Sequence, residues 1–133
     1  MAILQMPPIG STHFRHLYIS RACLKELIKI MEGSGIRKDF QTWLLDRLRE
    51  IDDISSFSYP DVHPRRYEKI GKFFNITYRH NEKNIRILFY KADNENINIL
   101  LCAIDEKKTR ADYTRLIRLA NTRLKEGLEK DYE

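Results

Sequence analysis

From Ser20 the apolar residues fall at helical spacing. Leu24, Leu27, Ile28 and Met31 form one stripe, with Ser20 as N-cap and Gly33 just past the end. A second stripe, Ile36, Phe40, Trp43, Leu44, Leu48 and Ile51, predicts a helix over 36–51, with Arg37, Asp39, Asp46, Arg49 and Glu50 outside it. The short Gly33-Ser34-Gly35 link predicts that the two helices form an antiparallel hairpin. Ahead of them, Phe14 to Ile19 reads as a short strand. Residues 1–11, broken by Pro7, Pro8 and Gly10, read as an irregular lead-in.

After a long connection over 52–66 the period changes to two. Phe74, Ile76 and Tyr78 alternate with Phe73, Asn75, Thr77 and Arg79. Ile85, Ile87 and Phe89 alternate with Arg86, Leu88 and Tyr90, and Ile97, Ile99, Leu101 and Ala103 with Asn98, Leu100, Cys102 and Ile104. Short turn-rich separators at 80–84 and 92–96 make these three strands an antiparallel meander. The last element is a helix from Arg110 to about Glu126, with a capping box at Thr109-Arg110-Ala111-Asp112 and the stripe Leu116, Ile117, Ala120 and Leu124. The expected class is α+β, in the order β-α-α-β-β-β-α. A meander packs on an N-terminal helical hairpin and a C-terminal helix. One domain spans 12–126, and an acidic tail over 127–133 stays solvated.

A chain of 133 residues suffices for one hydrophobic core without staples. Cys23 and Cys102 lie in apolar runs at no zinc or redox spacing, which predicts buried free thiols and suits a cytoplasmic setting. The N-terminus has no charged region followed by a long apolar stretch, so no signal peptide is expected. No run approaches the roughly 20 apolar residues of a membrane span, so no membrane partner is expected.

The formal charge of +5 is unevenly placed. Pro60 to Lys91 holds eight Lys/Arg against three Asp/Glu, a net +5, and Lys107 to Lys125 holds seven against one, a net +6. Residues 92–106 carry −4 and the tail from Glu126 carries −3. Positive charge confined to two blocks favours an anionic partner, nucleic acid first among them. A merely solvated basic surface is the alternative.

Period two places Arg86 with Leu88 and Tyr90, opposite Ile85, Ile87 and Phe89. Arg79 has the parity of Thr77 and Asn75, opposite Phe74 and Ile76. With the apolar faces turned to the core, both arginines emerge on one open sheet face, where guanidinium forks can hold phosphate. Surface pairing with Glu82, Asp105 or Glu106 is the alternative. His80 is a candidate acid–base group, or simply a hairpin residue. His13 and His16 stand on opposite faces of a strand, so no shared metal is expected. There is no phosphate-cradling Gly-rich loop and no nucleophile elbow.

Several strings, taken in order, resemble the RelE/HigB family of bacterial and phage toxins. They are Ile70-Gly71-Lys72-Phe73-Phe74-Asn75-Ile76-Thr77-Tyr78-Arg79, then Ile85-Arg86-Ile87-Leu88-Phe89-Tyr90, then Ile99-Leu100-Leu101-Cys102-Ala103-Ile104. Glu106-Lys107-Lys108-Thr109 and a helix with Ala120 near its middle follow. The resemblance runs from about Tyr67 to Leu124 and is loose over the two first helices.

It implies a RelE-like fold and a toxin of a type II toxin–antitoxin pair. Such a toxin cleaves mRNA, often on the ribosome, without a metal or other cofactor, and is held in check by a cognate antitoxin. The ribose 2′-oxygen attacks the adjacent phosphate and expels the 5′-oxygen. This needs a proton acceptor, a proton donor and cations against the developing charge. The implied catalytic group is Arg79, Arg86, Lys107 and Tyr113, with Lys107 six residues before Tyr113 as in the RelE branch. Tyr113 is otherwise a core anchor of the last helix. RNA contacts would come from Lys108, His80, Arg110, Arg65, Arg66 and Tyr90.

The chain departs from the RelE branch at Asn75 and Thr77, where that branch carries lysines. Arg79, His80, Lys83, Arg65 or Arg66 would have to replace them. The departure lends weight to a ParE-like toxin, which inhibits gyrase by contact and cuts no RNA. A basic nucleic-acid-binding domain without toxicity is the third reading.

Overall fold

Ser20 caps its helix as its position predicts. Its Oγ accepts the Cys23 N–H at 3.0 Å, satisfying one of the donors that a helix N-terminus leaves free. Ser20 also ends a strand. The computed structural model, which describes residues 3–33, 37–53, 67–80, 83–92, 97–105 and 113–131, runs β1 (Ile3–Gln5), β2 (Leu17–Ser20), α1 (Arg21–Glu32), α2 (Arg37–Asp52), β3 (Glu68–Ile70), β4 (Phe73–His80), β5 (Lys83–Ala92), β6 (Ile97–Asp105) and α3 (Tyr113–Asp131). The class is α+β. Among the described residues six strands form one sheet in the order β1-β2-β6-β5-β4-β3. All pairs are antiparallel except β2 with β6.

The three meander strands stand where the alternation puts them, and two further strands extend the sheet at its ends. Ile3–Gln5, read as irregular lead-in, pairs antiparallel with β2, with Ile3 opposite Ser20. Glu68–Ile70 pairs with β4 across a two-residue turn whose first residue, Gly71, takes φ +60°, a value that glycine adopts without steric cost. Three residues are too few to show a period, so neither strand is legible as an alternation. β2 begins at Leu17, later than predicted. Phe14 is buried ahead of it without joining the ladder.

Helices cover both faces of the sheet. On one face α1 and α2 pack Cys23, Leu27, Phe40, Leu44, Leu48 and Ile51 over Leu17, Ile19, Ile76, Ile85, Ile87, Phe89 and Leu100. On the other, Leu116, Ala120 and Leu124 of α3 pack over Phe73, Leu88, Ile99, Leu101 and Cys102. Ile87, Leu88 and Phe89 are therefore all buried, as central strands covered on both sides are. The face that holds Arg86 is thus not open along its length, because α3 lies over part of it. A bulge between Leu88 and Phe89 leaves Leu101 without an opposite residue. That is why Leu101 and Cys102, though consecutive, both belong to the α3 side.

α1 departs from its predicted stripe at one position. Cys23, Leu27 and Ile30 define the inward line, and Ile28, about 100° round the helix from Leu27, is left 44% exposed. Ile36 and the link after Gly33 lie outside the described residues. At the far end α3 continues past Glu126 to Asp131, so what reads as the start of a solvated tail is helical. Gly127 permits this, since a Cβ there would fall inside the Ile3 side chain. Gly127→Ala is expected to cost about 1–3 kcal/mol by overpacking, measured by urea unfolding. An unchanged midpoint would mean that α3 does not lean on β1 there.

β2 reaches β6 only as far as Leu100, leaving the next stretch of that edge to side chains. Ser20 Oγ donates to Leu101 O at 3.3 Å. Arg123 Nη1 donates to the same carbonyl at 2.8 Å, and Glu26 Oε1 accepts the Ala103 N–H at 3.2 Å. Arg123 also donates through both terminal nitrogens to Glu26, at 2.6 and 3.1 Å. Burial works against the Arg123 charge, but the Glu26 hydrogen bond and charge outweigh it and hold its pKa above the ordinary value. Cys23 and Cys102 are free and buried, as expected. Burial first of all pushes the Cys102 thiol up to about 12 and raises Cys23 well above the usual range, so both remain protonated and unreactive. Among the described residues no helix is long and apolar enough to cross a membrane.

Candidate functional site

The meander fixes which side chains meet on the α3 face. Glu68 of β3 stands opposite Asn75 of β4, Asn75 opposite Leu88 of β5, Thr77 opposite Arg86, and Arg79 opposite Asn84. Directly opposed residues hold their Cβ atoms about 4.5–5.5 Å apart. Glu68, Asn75, Thr77, Arg86 and Arg79 therefore form a polar patch beside the apolar ground under α3. Ile117 of α3 lies near the Gly71 turn. Tyr113, one helical turn earlier, comes over Arg86.

That approach is close and specific. Arg86 Nη1 donates to the Tyr113 hydroxyl at 2.6 Å, and the guanidinium carbon lies 4.8 Å from the centre of the Tyr113 ring. A guanidinium held on the face of an aromatic ring gains about 0.5–2 kcal/mol from the ring quadrupole, so its orientation is set before any ligand arrives. Glu68 Oε2 lies 3.9 Å from the same Nη1, with the Arg86 side chain 11% exposed and that of Glu68 58% exposed. Arg86 thus lies beneath the surface while Glu68 and Tyr113 stand at it. Tyr113, 40% exposed, is not the core anchor that its place on a first helical turn allows.

Asn75 is the one fully buried polar residue of the patch. Its Nδ2 donates to Thr77 Oγ1 at 3.1 Å, and its Oδ1 is buried without a hydrogen-bond partner. The two positions where the resemblance leads one to expect lysines hold a hydrogen-bonded neutral pair.

Of the site residues read from the sequence, Arg79, Arg86 and Tyr113 share this patch. Arg79 is exposed and lies one same-face step beyond Thr77 along β4. His80 does not share it. It stacks on Tyr78 with ring centroids 6.2 Å apart and planes 7° apart. Tyr78 packs against Phe40 and Trp43, so His80 belongs to the opposite face, as its parity with Tyr78 requires. Tyr90 is on the same face as Arg86 but four residues along β5, roughly 13 Å away. It packs near Phe73, with Lys72 Nζ 5.9 Å from its ring. Arg65, Arg66, Lys107, Lys108 and Arg110 lie outside the described residues. Ile104, the register partner of Arg86, precedes Lys107 by three positions.

One of the alternatives resolves. Among the described residues a carboxylate near Arg86 is that of Glu68, whereas Asp105 pairs with Ile85 on the α1–α2 face. Glu82 and Glu106 lie outside the described residues. Glu68 is the residue of this patch that reading the chain misses. The signal is a two-residue hairpin turn, Gly71-Lys72, with a short polar–apolar segment before it. Among the described residues no three His, Cys, Asp or Glu side chains converge as a metal site would need.

No known protein-family profile matches the chain, and no curated protein matches it. Among solved structures it is similar to the E. coli toxin RelE in the free state, a mutant with two arginines replaced by alanine. The match has a TM-score of 0.48 and 16% identity, over 77% of this chain and 94% of that one.

Proposed function

We propose that this protein is a RelE-type toxin, an mRNA endoribonuclease acting on the ribosome without a metal and restrained by a cognate antitoxin. The observation that carries the reading is the Arg86–Tyr113 contact. It joins two residues 27 positions apart that the family resemblance names together. Arg86 supplies a preoriented cation for a non-bridging phosphoryl oxygen. The Tyr113 oxygen accepts from Arg86, which leaves its O–H to donate toward the departing 5′-oxygen. Arg79 extends the positive charge along β4 for a neighbouring phosphate. Lys107 is proposed as a further cation by its place in the family pattern, and Lys108, Arg110, Arg65 and Arg66 as RNA contacts.

A second reading has its own observation. Asn75 and Thr77 put no positive charge where the RelE branch has two, which suits a ParE-like toxin that binds gyrase. Induced expression in a bacterial host separates the two. Growth arrest with fragmented mRNA and normal DNA supercoiling is expected. Arrest with intact mRNA and impaired supercoiling would favour the gyrase reading. Normal growth with folded protein accumulating would leave a basic binding domain without toxicity.

A further inference from the structure

We infer that Glu68 is the proton acceptor of this site, the group that takes the proton from the attacking ribose 2′-hydroxyl; the inference rests on the nuclease reading above. The chemistry needs such a group, and among the described residues those named so far do not supply one. Arg79 and Arg86 present guanidinium donors and offer no lone pair. Tyr113 has its oxygen engaged by Arg86 and faces the reaction as a donor. His80 and Asp105 lie on the other side of the sheet.

Glu68 meets each requirement. Its register with Asn75 puts it on the same face as Thr77 and Arg86. Its Oε2 is 3.9 Å from Arg86 Nη1, about 1 Å beyond a charge-assisted hydrogen bond. The carboxylate is close enough to share one substrate with Arg86 and is not committed to it. It is also 58% exposed, so a ribose can reach it. A phosphate over the guanidinium brings its own 2′-hydroxyl to the β3 edge and its 5′-oxygen toward Tyr113.

The balance closes with these groups. Glu68 takes the 2′-hydroxyl proton as the 2′-oxygen bonds to phosphorus. The bond from phosphorus to the 5′-oxygen breaks, and that oxygen leaves with the Tyr113 proton. The products are a 2′,3′-cyclic phosphate and a 5′-hydroxyl, and proton exchange with water restores both side chains. DNA, lacking the 2′-hydroxyl, would bind without being cut.

The test uses the full chain and an mRNA presented on ribosomes, with Glu68→Gln, Glu68→Asp and Tyr113→Phe beside wild type. Glu68→Gln is expected to lower kcat by about 10²–10⁴-fold, the usual range for a lost general base. Affinity for the same mRNA with a 2′-deoxy residue at the cut site should be unchanged or tighter, because an anion has been removed from beside a phosphate site. Glu68→Asp should recover part of the rate. A sulfur replacing the 5′-oxygen leaves without needing a proton, so it should rescue Tyr113→Phe but not Glu68→Gln. Rescue of Glu68→Gln by that sulfur, wild-type kcat in Glu68→Gln, or a loss of affinity that accounts for the loss of rate would each overturn the assignment. A wild type that cuts no RNA would instead overturn the nuclease reading, and this inference with it.

Discussion

Arg86→Ala is expected to lower mRNA cleavage by about 10²–10³-fold or more and to abolish growth arrest, with the chain still folded. Removing one preorganised donor from a developing oxyanion costs a factor of that order, and this residue does more than donate. Its guanidinium also fixes Tyr113 through the 2.6 Å hydrogen bond and the ring contact, so alanine loosens the proposed proton donor as well. The effects of Arg86→Ala and Tyr113→Phe should therefore be less than additive, as for residues that act as one unit. Arg86→Lys keeps the charge but not the planar fork and should fall between. Single-turnover cleavage on programmed ribosomes measures the series, and circular dichroism checks the fold. Arg86→Ala cutting at the wild-type rate would move the site elsewhere.

The largest effect on stability is expected from Arg123→Ala, a loss of about 2–3 kcal/mol. Breaking a fully buried ion pair typically costs about 3–5 kcal/mol. The two side chains here are 15% and 29% exposed, so solvent screening reduces that figure. The substitution removes both donors to Glu26 and the donor to Leu101 O. It leaves a half-buried carboxylate and an edge carbonyl with less than their native bonding. Urea unfolding should show the midpoint shift, with a fall in Tm on the order of 10 °C. Glu26→Ala with Arg123→Ala should cost less than the sum of the singles, because no unpaired charge remains. A loss below about 0.5 kcal/mol would show that water bonds this edge as well as Arg123 does.

The two predictions rest on different kinds of information. Arg86 is legible in the sequence because the alternation of β5 is long enough to assign faces, and the same rule groups Arg79 with it. The same rule turns His80, through its parity with Tyr78, to the α1–α2 face. Arg123 gives no such signal. On α3 it reads as one cation in a basic block, and its partner is 97 positions away.

Local physics thus determined, from the sequence, what short-range periodicity can encode. It set the capped start of α1 at Ser20, the α2 stripe, the three meander strands, the burial of both cysteines and the shared face of Arg79 and Arg86. Tertiary structure decided what depends on register and on which surfaces are covered. β3 exists because Glu68–Ile70 finds β4 across the Gly71 turn, and only that pairing brings a carboxylate beside Arg86. α3 covers one stretch of the arginine face and leaves the rest polar. It runs on to Asp131, where the missing Cβ of Gly127 makes room for Ile3 of β1. Ile28 was left outside because Cys23, Leu27 and Ile30 meet the sheet first. Each of these outcomes is an agreement between segments distant in the chain, and a period read along one segment carries no information about its partner.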